Sequence, residues 1–138
     1  MWRKVAIFIS LSLFIVLLAV LSLTGSFPHF GLGNPTAKEI LNGNPNADIL
    51  KLDGLIYSNA SDLEWIKSKE YTKGDKIGEI KKQTTNTLWY RNFYASKLPK
   101  GTIIYDTNDR EYTKGDAPML IIIEHNNEIL IYRSLVEG

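Results

Sequence analysis

Three short stretches hold the side chains that could do chemistry. Glu124, His125 and Glu128 carry metal-ligating groups. On a strand, however, Glu124 and His125 point to opposite faces, so a cross-strand His125–Glu128 pair is the simpler account. Asp62 and Glu64, beside Trp65, could form an acid pair, but Glu64 is expected to close a helix cap that begins at Ser61. The third stretch, Leu88-Trp89-Tyr90-Arg91-Asn92-Phe93-Tyr94, is the densest in aromatic groups. Amphipathic aromatics beside an arginine are favoured at interfaces, and they also suit a membrane surface. An ordinary core strand with alternate rings buried explains the same residues. Strand alternation places Tyr90 and Tyr94 on one face and Trp89 and Phe93 on the other, which leaves one pair for a partner. Trp65, Asp62, Trp89, Tyr90, Phe93 and Tyr94 are the candidate binding residues.

Other chemistries are excluded or unsupported. The chain has no cysteine, which removes disulfides, thiolate nucleophiles, Cys-ligated zinc and S-palmitoylation. A serine nucleophile needs a positioned base, and neither His29 nor His125 stands in a recognisable motif. Phosphate loop, dinucleotide and EF-hand motifs are missing. No catalytic residue, metal or cofactor is therefore assigned. The 16 basic residues face 15 acidic ones. Taking Arg3 and Lys4 from the 16 leaves 14 basic residues against 15 acidic ones. That balance is no footprint for nucleic acid, which needs a clustered basic face.

The elements that must position these residues begin with an apolar leader. Val5 to Leu23 carries no charge and no proline, and about 19 helical residues reach roughly 28 Å, close to the hydrocarbon thickness. Arg3 and Lys4 precede it, and short-loop positive charge stays cytoplasmic. The expected organisation is a cytoplasmic tail at 1–4, a transmembrane signal anchor at 5–23, a linker at 24–46 and an extracytoplasmic domain at 47–138. The competing reading is a cleaved leader, whose apolar core is usually about 7–15 residues. Leu23-Thr24-Gly25-Ser26 resembles a bacterial lipobox with serine in place of the lipidated cysteine. A hydroxyl is a poorer nucleophile than a thiolate, so lipidation is not expected there. Pro28, Pro35 and Pro45 mark the linker, with a helical turn over 36–41.

The domain reads as β-rich α+β, with about five strands and one short helix in a packed sheet or small barrel. Asn126-Asn127 suits a type I′ turn, pairing His125 with Glu128, Ile123 with Leu130 and Ile121 with Tyr132. Both faces of that hairpin are apolar, so both must be covered. Asp48 to Tyr57 reads as one half-buried strand with Leu50, Leu52 and Ile56 on a shared face. A helix over 62–69 is expected to bury Leu63 and Ile66. Strands follow at 77–82 and 102–106, the second after a turn at Pro99–Gly101. Glu-Tyr-Thr-Lys-Gly-Asp occurs twice, at 70–75 and 111–116, and reads as reuse of a good turn rather than as paired binding loops.

Asp53 to Trp65, Ile77 to Ile80 and Lys97 to Tyr105 resemble a group of small, uncharacterised envelope proteins and lipoproteins of Bacillus-like bacteria. The resemblance implies an extracytoplasmic location and brings no activity. The expected function is a membrane-tethered, single-pass, extracytoplasmic interaction module of the bacterial cell envelope. Its partner is expected to be an envelope protein, a peptide or a glycan. The rivals are an envelope enzyme acting on a cell-wall polymer through carboxylates such as Asp62, and a stress or sensor protein working with a membrane partner. Acids gathered in an apolar cleft would favour the enzyme, and an aromatic patch without them would favour the module.

Overall fold

A computed structural model describes residues 33–137 continuously, together with Met1, Trp2, Ile7, Ile9, Ser12, Ile15 and Val16. The chain divides into two compact units, Met1–Leu32 and Gly33–Gly138. Among the described residues no helix is long and apolar enough to cross a membrane. The expected plan of a transmembrane helix, five strands and one helix is corrected accordingly. Most of the apolar run 5–23, together with Ser26 and His29, lies outside the described residues. The second unit holds eight strands and two short helices among its described residues.

Helix α1 (Ala37–Gly43) opens on a reciprocal cap. Thr36 Oγ1 accepts from the Glu39 amide at 3.3 Å, and Glu39 Oε2 accepts from the Thr36 amide at 2.8 Å, satisfying two amides that the first turn leaves unpaired. Ala37 and Leu41 are buried against Ile49, Ile56 and Tyr90. Residues 33–46, expected as spacer, therefore carry part of the core.

Strands β1 (Ile49–Leu52) and β2 (Leu55–Asn59) form a hairpin closed by Asp53-Gly54. Both turn residues have positive φ, 48° and 80°, as a type I′ turn requires. The turn resets the alternation expected for a single strand. Leu50 faces Tyr57 across the pair, and both join Leu52 in the main core, whereas Ile56 sides with Ile49 on the opposite face.

Helix α2 (Glu64–Lys67) is shorter than expected and has no side-chain cap. Ser61 instead serves the sheet: its Oγ accepts from the Ile131 amide at 2.9 Å and donates to Asn59 Oδ1 at 2.7 Å. Ile66 is buried and Leu63 is not. The remaining strands are β3 (Lys73–Glu79), β4 (Lys82–Gln83), β5 (Tyr94–Ala95), β6 (Ile103–Thr107), β7 (Leu120–His125) and β8 (Glu128–Ser134). The hairpin β7–β8 has the expected register, His125 to Glu128, Ile123 to Leu130 and Ile121 to Tyr132, with Asn126 and Asn127 at φ 51° and 62°.

The strands make one sheet in the order β3-β6-β7-β8-β2-β1-β5-β4, curled as a half-barrel. All pairs are antiparallel except β4–β5. Inside the curl lie Leu50, Leu52, Tyr57, Ile104, Ile121, Ile123 and Tyr132. The outer face is covered in two places, by α1 over Ile49 and Ile56 and by Ile66 of α2 over Ile122 and Ile131. Each fully buried aliphatic side chain contributes about 1.5–3 kcal/mol as an upper estimate, so the hairpin apolar on both faces is the centre of the fold.

Consecutive strands β3 and β4 stand at opposite ends of the strand order. Three peptide units join Glu79 to Lys82, a reach of at most about 11 Å. The curl must therefore bring the two ends together at Ile80. Phe93, from the β5 side, packs so closely on Gly78 of β3 that a Cβ there would lie 2.6 Å from its ring. The glycine is needed for that approach, since its φ is not positive.

Candidate functional site

Between Ile80 and Gly101 the chain leaves the sheet and returns to the same residue. The Ile80 amide donates to the Thr102 carbonyl, and the Gly101 amide donates back to the Ile80 carbonyl, both at 2.8 Å. Ala95 and Leu98 anchor this excursion in the main core with Ile80. Its two limbs pair with each other as β4 and β5, extended by the Lys81 amide on the Phe93 carbonyl and the Thr84 amide on the Ala95 carbonyl, both at 2.8 Å.

The tip is made of two successive side-chain turns. Thr84 Oγ1 accepts from the Asn86 amide, and Asn86 Oδ1 accepts from the Leu88 amide, both at 3.0 Å. Thr and Asn offer the backbone such local bonds in competition with a strand ladder. The limb beyond the tip is fixed to the β1–β2 hairpin. Lys51 Nζ donates to the Tyr90 carbonyl at 3.2 Å, the Gly54 amide donates to Asn92 Oδ1 at 3.0 Å, and the Phe93 amide donates to the Lys51 carbonyl at 2.6 Å. Trp89 and Phe93 are driven to φ 60° and 66°. Bulky side chains rarely occupy that region, and the strain costs about 1–3 kcal/mol at each.

These turns abolish the expected strand alternation. Tyr90 is only 8 % exposed and packs edge-to-face on Tyr94, with ring centroids 6.0 Å apart. Phe93, on the predicted opposite face, also turns inward, onto the main core. Trp89 stands out at 75 % exposed beside Leu88 at 72 %. Leu88, Trp89, Arg91, Tyr94, Lys82 and Asn86 line an open groove of about 470 Å³. Lys82 Nζ lies 5.8 Å from the Tyr94 ring centre and Lys81 Nζ 4.9 Å from that of Phe93, within cation–π range.

Of the six predicted residues, the structure gathers four in the excursion, with Trp89 and Tyr94 in the groove itself. Trp65 and Asp62 belong to the α2 region and do not line it. The Asp62 carboxylate is fully exposed, 3.6 Å from Lys67 Nζ, and not in an apolar cleft. Glu124 is bound to Lys73 at 2.6 Å, which holds the Lys73 ammonium above its ordinary pKa through that hydrogen bond. Among the described residues no three His, Asp or Glu side chains gather as a metal site.

Sequence reasoning missed the charge of the excursion. Lys81, Lys82, Arg91, Lys97 and Lys100 fall between Glu79 and Asp106 with no carboxylate among them. Counting charge over the whole chain concealed this, and a window of the length of one loop would have found it. The Tyr90 hydroxyl has no hydrogen-bond partner among the described residues, and burial, with the Asp48 charge second, pushes its pKa well above 10.

The arrangement can hold an apolar tip rigidly in solvent, with cations around it. No family model matches the chain, and no curated protein or solved structure matches it either.

Proposed function

We propose that this chain is an exported interaction module of the bacterial cell envelope, which docks an acidic partner through the Ile80–Gly101 excursion. The observation that carries this reading is Trp89: a tryptophan in a strained backbone conformation with its ring in solvent, followed by Tyr90, Asn92 and Phe93, each bonded to the β1–β2 hairpin. Strain kept at an exposed aromatic has no role in packing, and it suits a pre-organised anchor, since tryptophan and arginine dominate binding hot spots. The run of five cations supplies long-range attraction for an acidic surface. The apolar run 5–23 behind Arg3 and Lys4 supports export.

The test is fluorescence anisotropy of a labelled polyglutamate peptide titrated with the full chain in detergent micelles. Saturable binding is expected, weakening as salt rises, with no binding of polylysine. Trp89→Ala should weaken it at least about tenfold, while thermal melting stays within about 0.5 kcal/mol of the parent because the ring is exposed. Equal binding by parent and variant would refute the assignment.

A further inference from the structure

We infer that the acidic partner is an anionic lipid surface, and that Leu88 and Trp89 seat in its interfacial layer; this rests on the reading of the excursion given above. The groove argues against a glycan. Saccharide hydroxyls need acceptors beside the stacking ring, but its lining of Lys82, Asn86, Leu88, Trp89, Arg91 and Tyr94 contains no carboxylate, and Asn86 Oδ1 already accepts from the Leu88 amide. An acidic peptide can pair with the same cations, but specific docking of one extends a strand edge or fills an arginine-lined pocket. The edge strand here, β4, has two residues, and the groove is open and holds a single arginine, Arg91.

A bilayer surface matches each feature. Two adjacent apolar side chains, both more than 70 % exposed, add to one another when both enter the interface, whereas Leu88 contributes nothing to ion pairing or ring stacking. Tryptophan prefers the headgroup level. Lys82 and Arg91 flank the tip, and long basic side chains reach lipid phosphates while their stems stay with the apolar tip. A bilayer offers no fixed contour to match, so a stiff projecting tip ringed by cations is sufficient. Leu88 to Arg91 is stiff because Asn86 fixes its start and the Lys51 and Gly54 bonds fix its end.

The experiment uses the full chain with Trp2→Phe and Trp65→Phe, which leaves Trp89 as the one tryptophan of the three. It is reconstituted into vesicles of phosphatidylcholine alone, or of phosphatidylcholine with about one third phosphatidylglycerol, a share that gives a strongly anionic surface. Both contain acyl chains brominated near the headgroup, and co-sedimentation verifies that equal protein is bound. Trp89 emission should shift to the blue and fall by about half in the anionic vesicles alone. Lys82→Glu with Arg91→Glu, or high salt, should abolish the difference. Identical emission in the two vesicle types overturns the inference. If polyglutamate then still binds through Trp89, the acidic-partner reading stands and the lipid surface is wrong. If polyglutamate also fails, both are wrong.

Discussion

One glycine of the repeated hexapeptide does different things in its two copies. Gly74 lies in the irregular part of β3, where register shifts between Lys73 and Lys76. A Cβ there would sit 2.9 Å from the backbone N and O of Arg110. Gly115 has open space around it but a φ of 96°. The first copy runs into β3 at Lys73 and the second is a loop, so the reading of both as one reused turn holds for the second alone. The copies touch: the Tyr112 amide donates to Asp75 Oδ2 at 3.3 Å. Gly115→Ala should cost about 1 kcal/mol through backbone strain alone. Gly74→Ala should cost more, about 1–3 kcal/mol, because backbone must move; urea midpoints in the reverse order would contradict this account. Tyr90 allows a test of opposite sign. Its hydroxyl is buried without a partner among the described residues, and such a group costs about 1–3 kcal/mol. Tyr90→Phe should therefore raise the melting temperature, whereas Tyr90→Ala should lower stability by about 3–5 kcal/mol by emptying the packing around Ala37 and Leu41.

At the level of elements, legibility depended on whether the deciding forces were local. The β7–β8 hairpin could be read to the residue because Asn126-Asn127 and the flanking aliphatics determine it within one stretch of chain. Asp53-Gly54 carried an equally local signal, but partial alternation through Leu50, Leu52 and Ile56 concealed it, and one strand was expected where two exist. The Leu88–Tyr94 stretch was not legible as a loop. Its composition favours a strand, and the contacts that bend it come from Lys51 and Gly54, more than thirty residues away. Asp53 shows how such distant ties work. Its carboxylate accepts from the Tyr112 hydroxyl at 2.8 and 2.9 Å, the Gly115 amide at 3.1 Å and the Ala117 amide at 3.0 Å. It thereby holds residues 112–117 and the left-handed Ala117, φ 44°. Asp53→Asn keeps the turn, since Asn tolerates positive φ, but sets an amide donor against donors. A loss of about 1–3 kcal/mol is expected in urea unfolding at unchanged m-value. An unaltered midpoint would show that the loop is held by other means.

The whole molecule is built around neutral phenols. Tyr57 and Tyr132 are fully buried; the first donates to the Pro118 carbonyl at 2.6 Å and the second to Asp48 at 2.9 Å. Burial first, and neighbouring carboxylates second, push both well above the ordinary 10. Tyr112 is pushed up to about 12, by burial and then by its bond to Asp53. With Tyr90 these make four hydroxyls that hold their protons more tightly folded than unfolded. Their contribution is complete below pH 10 and is lost as pH rises through the folded values. Stability should thus be insensitive to these groups up to pH 10 and fall beyond it. Absorbance at 295 nm should show these phenols ionising together with loss of the fold. Their ionisation near pH 10 while circular dichroism remains native would refute the argument.

The place of β8 in the strand order bears on when this domain can form at all. It lies between β7 and β2, pairing Tyr57 with Ser134 and Asn59 with Tyr132. While the chain is being made, β1–β2 and β6–β7 can each close, and the Ile80–Gly101 excursion and the Asp53 bonds to residues 112–117 tie them, but no strand fills the place between β2 and β7 until residues 128–134 have emerged. Bringing such distant partners together is entropically slow. The sheet is therefore completed late, when β8 enters the gap between β7 and β2. A sheet missing its middle strand leaves the facing edges of β2 and β7 unpaired, so the nascent domain is most exposed to wrong strand pairing just before it is complete.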